Sequence, residues 1–285
     1  MAQVTLDDVI ARYLAPHTHT TRSSYKSIIN TWLVWCNDNA INPLMATASH
    51  IEVYGRYIQE HLDYSTRYRS VSLSVICNLY KQLTIAGLVR QDPSPYVRRP
   101  RVSLHSEGSY LTREQARDLL QAAQHSPDLR LDALIRLLLL NGCRITEAIS
   151  LTTGDHHTGH APWLRLPRKG QWHQQVAITA ETSQALDRIS IAPDTAPIFR
   201  RDGEQLPVGA ARRLVVKLCM SIGLDHITPH SLRRTFATLS RDAGVDDKDI
   251  MAAGGWTSSD MLDYYDMHSR ALNGTATTTL SAYLS

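Results

Sequence analysis

Apolar residues recur at helical spacing through the first third of the chain. Between Thr20 and Cys36, Tyr25, Ile28, Ile29, Trp32, Leu33 and Trp35 follow a near-helical repeat, which predicts an amphipathic helix. Ser49 to Glu60 and Ser65 to Ile85 repeat the pattern, and Gly87 stands where the last of these helices should stop. Residues 91–102 (QDPSPYVRRPRV) break the periodicity with Pro93, Pro95 and Pro100, so this stretch is not regular helix. With 104–109 it reads as a connector between two domains. Helical spacing resumes after Thr112, which has Gln115 at the distance of a capping box. Residues 129–140 (LRLDALIRLLLL) are apolar almost all round, which predicts a buried helix ending at Asn141-Gly142. From Trp163 to Thr179 the period becomes two: WLRLP and QQVAIT alternate, and the turn-like RKGQWH between them predicts a β-hairpin with Lys169 near its tip. Helices return from Gly209 onward. The pattern is that of a mainly α chain with a small β-sheet.

Composition narrows the class. The chain has 285 residues, 43% hydrophobic and 20% charged, which suits two globular domains and excludes disordered, collagen-like and coiled-coil chains. No apolar run approaches the roughly 18 residues of a membrane span, so no membrane partner is expected. The N-terminal MAQVTLDDVIARYL carries two acids and no long apolar core, and is not expected to act as a secretory signal. The four cysteines (Cys36, Cys77, Cys143, Cys219) are far apart and form no CxxC pair. That usage points to reduced thiols in a cytoplasmic protein, against both a disulfide frame and a zinc finger.

The net charge of +3 is too small to identify a partner, but its distribution is uneven. Residues 1–103 hold 11 Lys and Arg against 7 Asp and Glu, whereas 104–285 hold 19 against 20. Arg90, Arg98, Arg99 and Arg101 cluster at the connector. They suit either a strap over a DNA backbone or a solvated linker.

Candidate chemistry concentrates in the second part of the chain. In ITPHSLRRTFATLSRDAG (227–244), Thr228 is a good N-cap, Pro229 suits the first helical position and Gly244 is a good stop. His230 and Arg233 are three residues apart, so they share a face of the first turn, where free backbone N–H groups and the helix dipole favour an anion. Leu232, Phe236 and Leu239 point to another, buried face. The reading of His230 and Arg233 as surface residues of an ordinary helix stays open. Arg144 leaves an apolar neighbourhood and needs a partner, for which Glu147 is placed; a structural salt bridge accounts for that pair equally well. Lys169 at a hairpin tip is ordinarily just solvated. His156, His157 and His160 form a loop cluster without the cysteine or carboxylate spacing of a metal site, so no metal is expected. In GGWTSSDMLDYYDMH (254–268), Trp256 precedes a Ser258/Ser259 N-cap and a short helix carrying Tyr264 and Tyr265, which point about 100° apart, so at most one can serve a site.

Taken in order, Arg144 in GCRITEAISL, Lys169 in RKGQWHQQVAI, His230 and Arg233 in PHSLRRTFAT, Trp256 in GGW and Tyr265 nine residues later resemble the tyrosine recombinase family of phage integrase, Xer and Cre-like enzymes. The resemblance covers about residues 111–270. Trp256 stands where many members have histidine. The resemblance implies a helical core-binding (DNA-binding) domain over 1–103, a linker over 104–110, an α+β catalytic domain over 111–270 and a C-terminal tail over 271–285. There is no room for a further N-terminal arm-binding domain, so a simple recombinase is expected.

What the resemblance implies for function is site-specific cutting and rejoining of double-stranded DNA through a 3′-phosphotyrosyl intermediate and a Holliday junction. Because the covalent link stores the bond energy, no cofactor is required, neither ATP nor metal. Arg144 and Arg233 would hold the phosphate oxygens, His230 would serve as acid/base, Lys169 would protonate the leaving oxygen, Trp256 would pack on the site and Tyr265 would be the nucleophile. Arg98, Arg99 and Arg101 are the candidate DNA-backbone contacts. Four protomers would form the synaptic complex, from monomers or weak oligomers without DNA. The apolar tail (Leu272, Leu280, Tyr283, Leu284) would dock on a neighbouring protomer or on its own domain. Type IB topoisomerase-like relaxation and an inactive DNA-binding regulator are the alternative readings.

Overall fold

The computed structural model describes residues 4–100, 109–168, 172–259, 262, 282 and 283. The chain divides into two compact units, Met1–Ser103 and Leu104–Ser285. The first is helical: α1 (Leu6–Leu14), α2 (His19–Asp38), α3 (Ala48–Glu60) and α4 (Thr66–Ile85). The three predicted helices are present within a few residues of their expected bounds. Helix α1 was not anticipated, although Thr5 and Asp8 give it a full capping box. Trp32, Tyr54 and Tyr80 are the largest fully buried side chains of this unit, and Trp32 stacks on Trp35 with ring centroids 5.4 Å apart. The proline-rich stretch forms only a short 3-10 turn over Ser94–Tyr96, as its three prolines require.

The second unit is built around one buried helix. Helix α5 (Arg113–Gln124) starts at the predicted Thr112–Gln115 box and packs on α6 (Arg130–Leu140). Ala133, Leu134, Ile135, Leu137 and Leu138 of α6 are fully buried, as an all-apolar run demands. The chain continues through α7 (Ile145–Ile149), β1 (His156–His157), β2 (Trp163–Pro167), β3 (His173–Ala177), α8 (Ala180–Asp187), β4 (Arg200–Arg201), β5 (Glu204–Gln205), α9 (Val208–Ser221), α10 (Pro229–Asp242) and α11 (Asp247–Gly254). Strands β1, β2 and β3 form an antiparallel sheet in that order, with Leu164 opposite Val176 and Leu166 opposite Gln174. The predicted hairpin is therefore present, and Lys169 lies outside the described residues. Strands β4 and β5 pair separately. The fold is mainly α with small antiparallel sheets, as the pattern predicted.

Helix α10 begins and ends where its caps place it: the Thr228 hydroxyl accepts from the Ser231 amide at 3.3 Å, and the helix stops just before Gly244. Its inner face joins two cores. Leu232 enters the main core with α6, while Phe236 and Ala237 join Ile250, Trp256 and Leu262 in a second cluster. Thr235 accepts a hydrogen bond from the Leu111 amide at 2.9 Å, tying the start of this unit to α10.

The histidine cluster differs from its reading as a loop. His156 and His157 form β1, and His157 stacks on Trp163 at 3.7 Å. The His156 Nε2 lies 2.8 Å from the Ser183 hydroxyl and its Nδ1 lies 3.6 Å from Asp187. Burial holds the His156 imidazole below its ordinary value of 6.5, against the opposing pull of Asp187. The unfolded chain thus binds the proton more readily than the folded one. The stability this residue contributes is full above pH 6.5 and is lost as pH falls through the lower folded value. His156→Gln is expected to flatten the dependence of the urea midpoint on pH below 6.5, and an unchanged slope excludes His156 as its source.

Candidate active site

The site grows from the ends of three helices. Helix α6 stops at Asn141, and Gly142 follows with φ of 58°, in the left-handed region. A Cβ at Gly142 would collide with the Phe236 ring, so position 142 needs glycine on both counts. Two residues on, Arg144 is the N-cap of α7. Its amide donates to Glu147 Oε2 at 2.9 Å and its Nη1 donates to Glu147 Oε1 at 2.6 Å. The expected Arg144–Glu147 pair is present. The Glu147 side chain is only 6% exposed, whereas that of Arg144 is 34% exposed.

Glu147 has a second cation that the sequence reading missed. Arg168, at the end of β2, donates from Nη1 to Glu147 Oε2 at 2.9 Å. Its Nη2 donates to the Ala253 carbonyl at 2.6 Å and its Nε to Gln174 Oε1 at 2.9 Å. Arg168 is 5% exposed, so the segment read as turn-like begins with a buried strut. The signal was present in the alternation: Leu164 and Leu166, both fully buried, define the inner face, and 168 is its next position.

Arg233, on the first turns of α10, is 3% exposed. Its Nη1 donates to the carbonyls of Gly142 and, at 2.7 Å, Gly254. Its guanidinium carbon lies 4.0 Å from the centroid of the Trp256 ring, a cation–π distance. Phe236 stacks on the same indole at 6.1 Å and 11°. Trp256 is 5% exposed, and a Cβ at Gly254 would overlap its ring. Arg233 and Phe236, read as lying on separate faces, thus both contact this one tryptophan. Their i,i+3 spacing allows it.

Arg144, Arg233 and Trp256 therefore belong to one network, linked through Glu147, Arg168 and the Gly142 and Gly254 carbonyls. Among the described residues it holds three guanidinium groups and one carboxylate, so the described part is cationic. That suits an anion. His230 is exposed on the first turn of α10. The amides of that turn are less available than the sequence suggested, because the Thr228–Ser231 capping box takes two of them. Lys169, Tyr264 and Tyr265 lie outside the described residues, as does Arg101 of the connector. Arg98 and Arg99 are exposed in the first unit, with the Arg98 amide donating to Glu52 at 2.8 Å. Burial pushes the Cys143 thiol, beside Arg144 in sequence, up to about 12, so it stays protonated. Among the described residues no group of three His, Cys, Asp or Glu is placed to hold a metal ion. No helix of the described residues is long and apolar enough to cross a membrane.

The chain is similar to known proteins. The sequence profile of the phage integrase family matches residues 109–271. The tyrosine recombinase XerD of Corynebacterium glutamicum is 27% identical over 264 residues, 86% of each chain. The tyrosine recombinase XerC of Rickettsia rickettsii is 30% identical over 145 residues, 48% of this chain and 47% of that one. A lambda integrase dimer bound to a COC' core site has a TM-score of 0.69 at 20% identity, covering 94% of this chain and 79% of that one. A lambda integrase tetramer bound to a Holliday junction has a TM-score of 0.68 at 19% identity, over 92% and 77% of the two chains. At these identities the solved structures share the fold.

The shared carboxylate makes a stability prediction. Glu147→Ala strands Arg168 in a buried position and is expected to destabilise the protein by about 3 kcal/mol or more. Urea unfolding measures it, and a loss near zero would mean that solvent screens the pair.

Proposed function

The chain belongs to the phage integrase family, the tyrosine recombinases, and is a site-specific DNA recombinase; from that premise we propose which side chains carry the strand exchange. Tyr265 is the nucleophile. Its phenol, with a reference pKa of about 10, must lose its proton as Oη attacks phosphorus. His230 takes or shares that proton. The new Oη–P bond replaces the bond from phosphorus to the 5′ oxygen, leaving a 3′-phosphotyrosyl ester. The departing 5′ oxygen receives a proton from the Lys169 ammonium and leaves as a hydroxyl. The reverse reaction on a second strand reseals the DNA with no change in the number of phosphoester bonds.

Arg144 and Arg233 stabilise the charge that builds on the non-bridging oxygens, where two forked donors suit two acceptors. By analogy with other oxyanion donors, loss of either costs about 3–4 kcal/mol of barrier. The observation that supports this assignment best is the network itself. Arg144 and Arg233, far apart in sequence, are both tied to the Gly254 carbonyl, Arg233 directly and Arg144 through Glu147 and Arg168. Trp256 flanks Arg233, with its ring centroid 4.0 Å from the guanidinium carbon. The reading extends to residues 1–103 as a DNA-binding domain, with Arg98, Arg99 and Arg101 on the backbone, and to a tetramer acting through a Holliday junction in the cytoplasm. The tail over 271–285 docks between protomers in this reading.

A nicked suicide substrate tests the core of it. Tyr265→Phe is expected to bind DNA with unchanged affinity and to form no covalent complex, while Tyr264→Phe still forms it. The reverse pattern on a denaturing gel moves the nucleophile to residue 264.

A further inference from the structure

We propose that Arg168 is a positioning residue for leaving-group protonation: it ties the hairpin arms that flank Lys169 in the chain to the groups that hold Arg144 and Arg233. The proposal rests on the reading of Lys169 as proton donor.

The geometry around Arg168 is over-determined. It stands at the end of β2 on the inner face begun by Leu164 and Leu166. Its amide donates to the Trp172 carbonyl at 2.9 Å, which extends the pairing of the two hairpin arms by one step beyond Pro167 and His173. Its side chain donates in three directions, to Glu147 on α7, to Gln174 on β3 and to the Ala253 and Gly254 carbonyls at the end of α11. Gln174 adds a second tie from the other arm of the hairpin, donating from Nε2 to the Ala252 carbonyl at 2.8 Å. Both arms are thus anchored to consecutive carbonyls of one helix end. The fit is close, since a Cβ at Gly255 would lie 2.8 Å from the guanidinium carbon of Arg168.

The fold by itself does not call for an arginine at this place. An apolar side chain would continue the Leu164–Leu166 face without the desolvation cost of a buried cation. What arginine adds is connection to specific partners. Glu147 also orients Arg144, and the Gly254 carbonyl is also held by Arg233. The residue that precedes Lys169 in the chain is therefore held by the same atoms as the two arginines assigned to the phosphate. Proton transfer to a leaving oxygen depends steeply on position, and a shift of about 1 Å can cost roughly 10²-fold in rate.

The test separates this role from a structural one by changing the leaving group. Suicide substrates carry either oxygen or sulfur at the scissile 5′ bridging position. Sulfur departs as a thiolate and needs no proton, so a defect confined to protonation disappears on it. Lys169→Ala, Arg168→Lys and Gln174→Ala are compared with the wild type. Arg168→Lys keeps the charge and loses the fork.

With oxygen, Arg168→Lys is expected to form the covalent complex roughly 10²-fold more slowly. With sulfur it should work at close to the wild-type rate, and DNA affinity should not change. Equal losses on both substrates, or no loss on either, overturn the proposal. Lys169→Ala must also be rescued by sulfur. If it is not, the reading of Lys169 falls and the proposal falls with it; if it is while Arg168→Lys is not, the proposal alone fails. Should Arg168→Lys not fold by circular dichroism, Gln174→Ala decides in the same way, with a smaller selective loss supporting the proposal and a uniform or absent loss overturning it.

Discussion

A guanidinium on a long side chain is a poor ligand for one phosphate until something fixes where its fork points. For Arg144 that constraint is Glu147. The two residues are three apart across the first turn of α7, so the carboxylate folds back over the helix start and accepts from both the Arg144 amide and its side chain. Burial of Glu147 keeps water from competing for those bonds, which strengthens them. The carboxylate occupies one edge of the guanidinium and leaves the side chain partly exposed on the other. One of its oxygens, Oε2, also accepts from Arg168, so one acid sets two cations and, with them, the base of the hairpin.

Around this contact the rest of the second unit supplies rigidity. Helix α6 is buried on nearly every side, so its C-terminal end cannot drift, and the Gly142 carbonyl beyond it is a fixed point. Helix α11 provides another fixed point through its last carbonyls, which accept from Gln174, Arg168 and Arg233. Phe236 and Trp256 close the apolar side and exclude water from the guanidinium face. The two glycines at 142 and 254 are what allow an aromatic ring to approach the backbone there.

Much of this was legible in the chain. The caps at Thr112 and Thr228 are local chemistry, and local chemistry survives folding. The all-apolar run of α6 and the period-two alternation of the hairpin are strong periodic signals, so type and place both came out correctly. The Arg144–Glu147 pair could be read because both partners lie within one turn. Arg168 could not be read in that way, because its partners lie in α7, β3 and α11 and only folding brings them together. Its inward position was visible in the strand alternation, yet a charged residue next to a turn is usually solvated, and that expectation prevailed. Short helices α1 and α7 escaped because they span too few turns for periodicity to accumulate. The capping-box loss of free amides at the start of α10 was also hidden, since a serine at the third helical position does not show from sequence whether its hydroxyl turns back to the cap.

The two arginines proposed to face the phosphate are held in different ways. Among the described residues Arg233 donates to two carbonyl oxygens, one just beyond the end of α6 and one at the last residue of α11. Helix C-termini carry partial negative charge, which offsets burial of a cation and satisfies its hydrogens. On the other side, Arg144 and Arg168 divide a single carboxylate between them. Both arrangements fix geometry. A phosphodiester in the transition state, with extra negative charge on its free oxygens, gains more from such a site than the ground-state phosphate does.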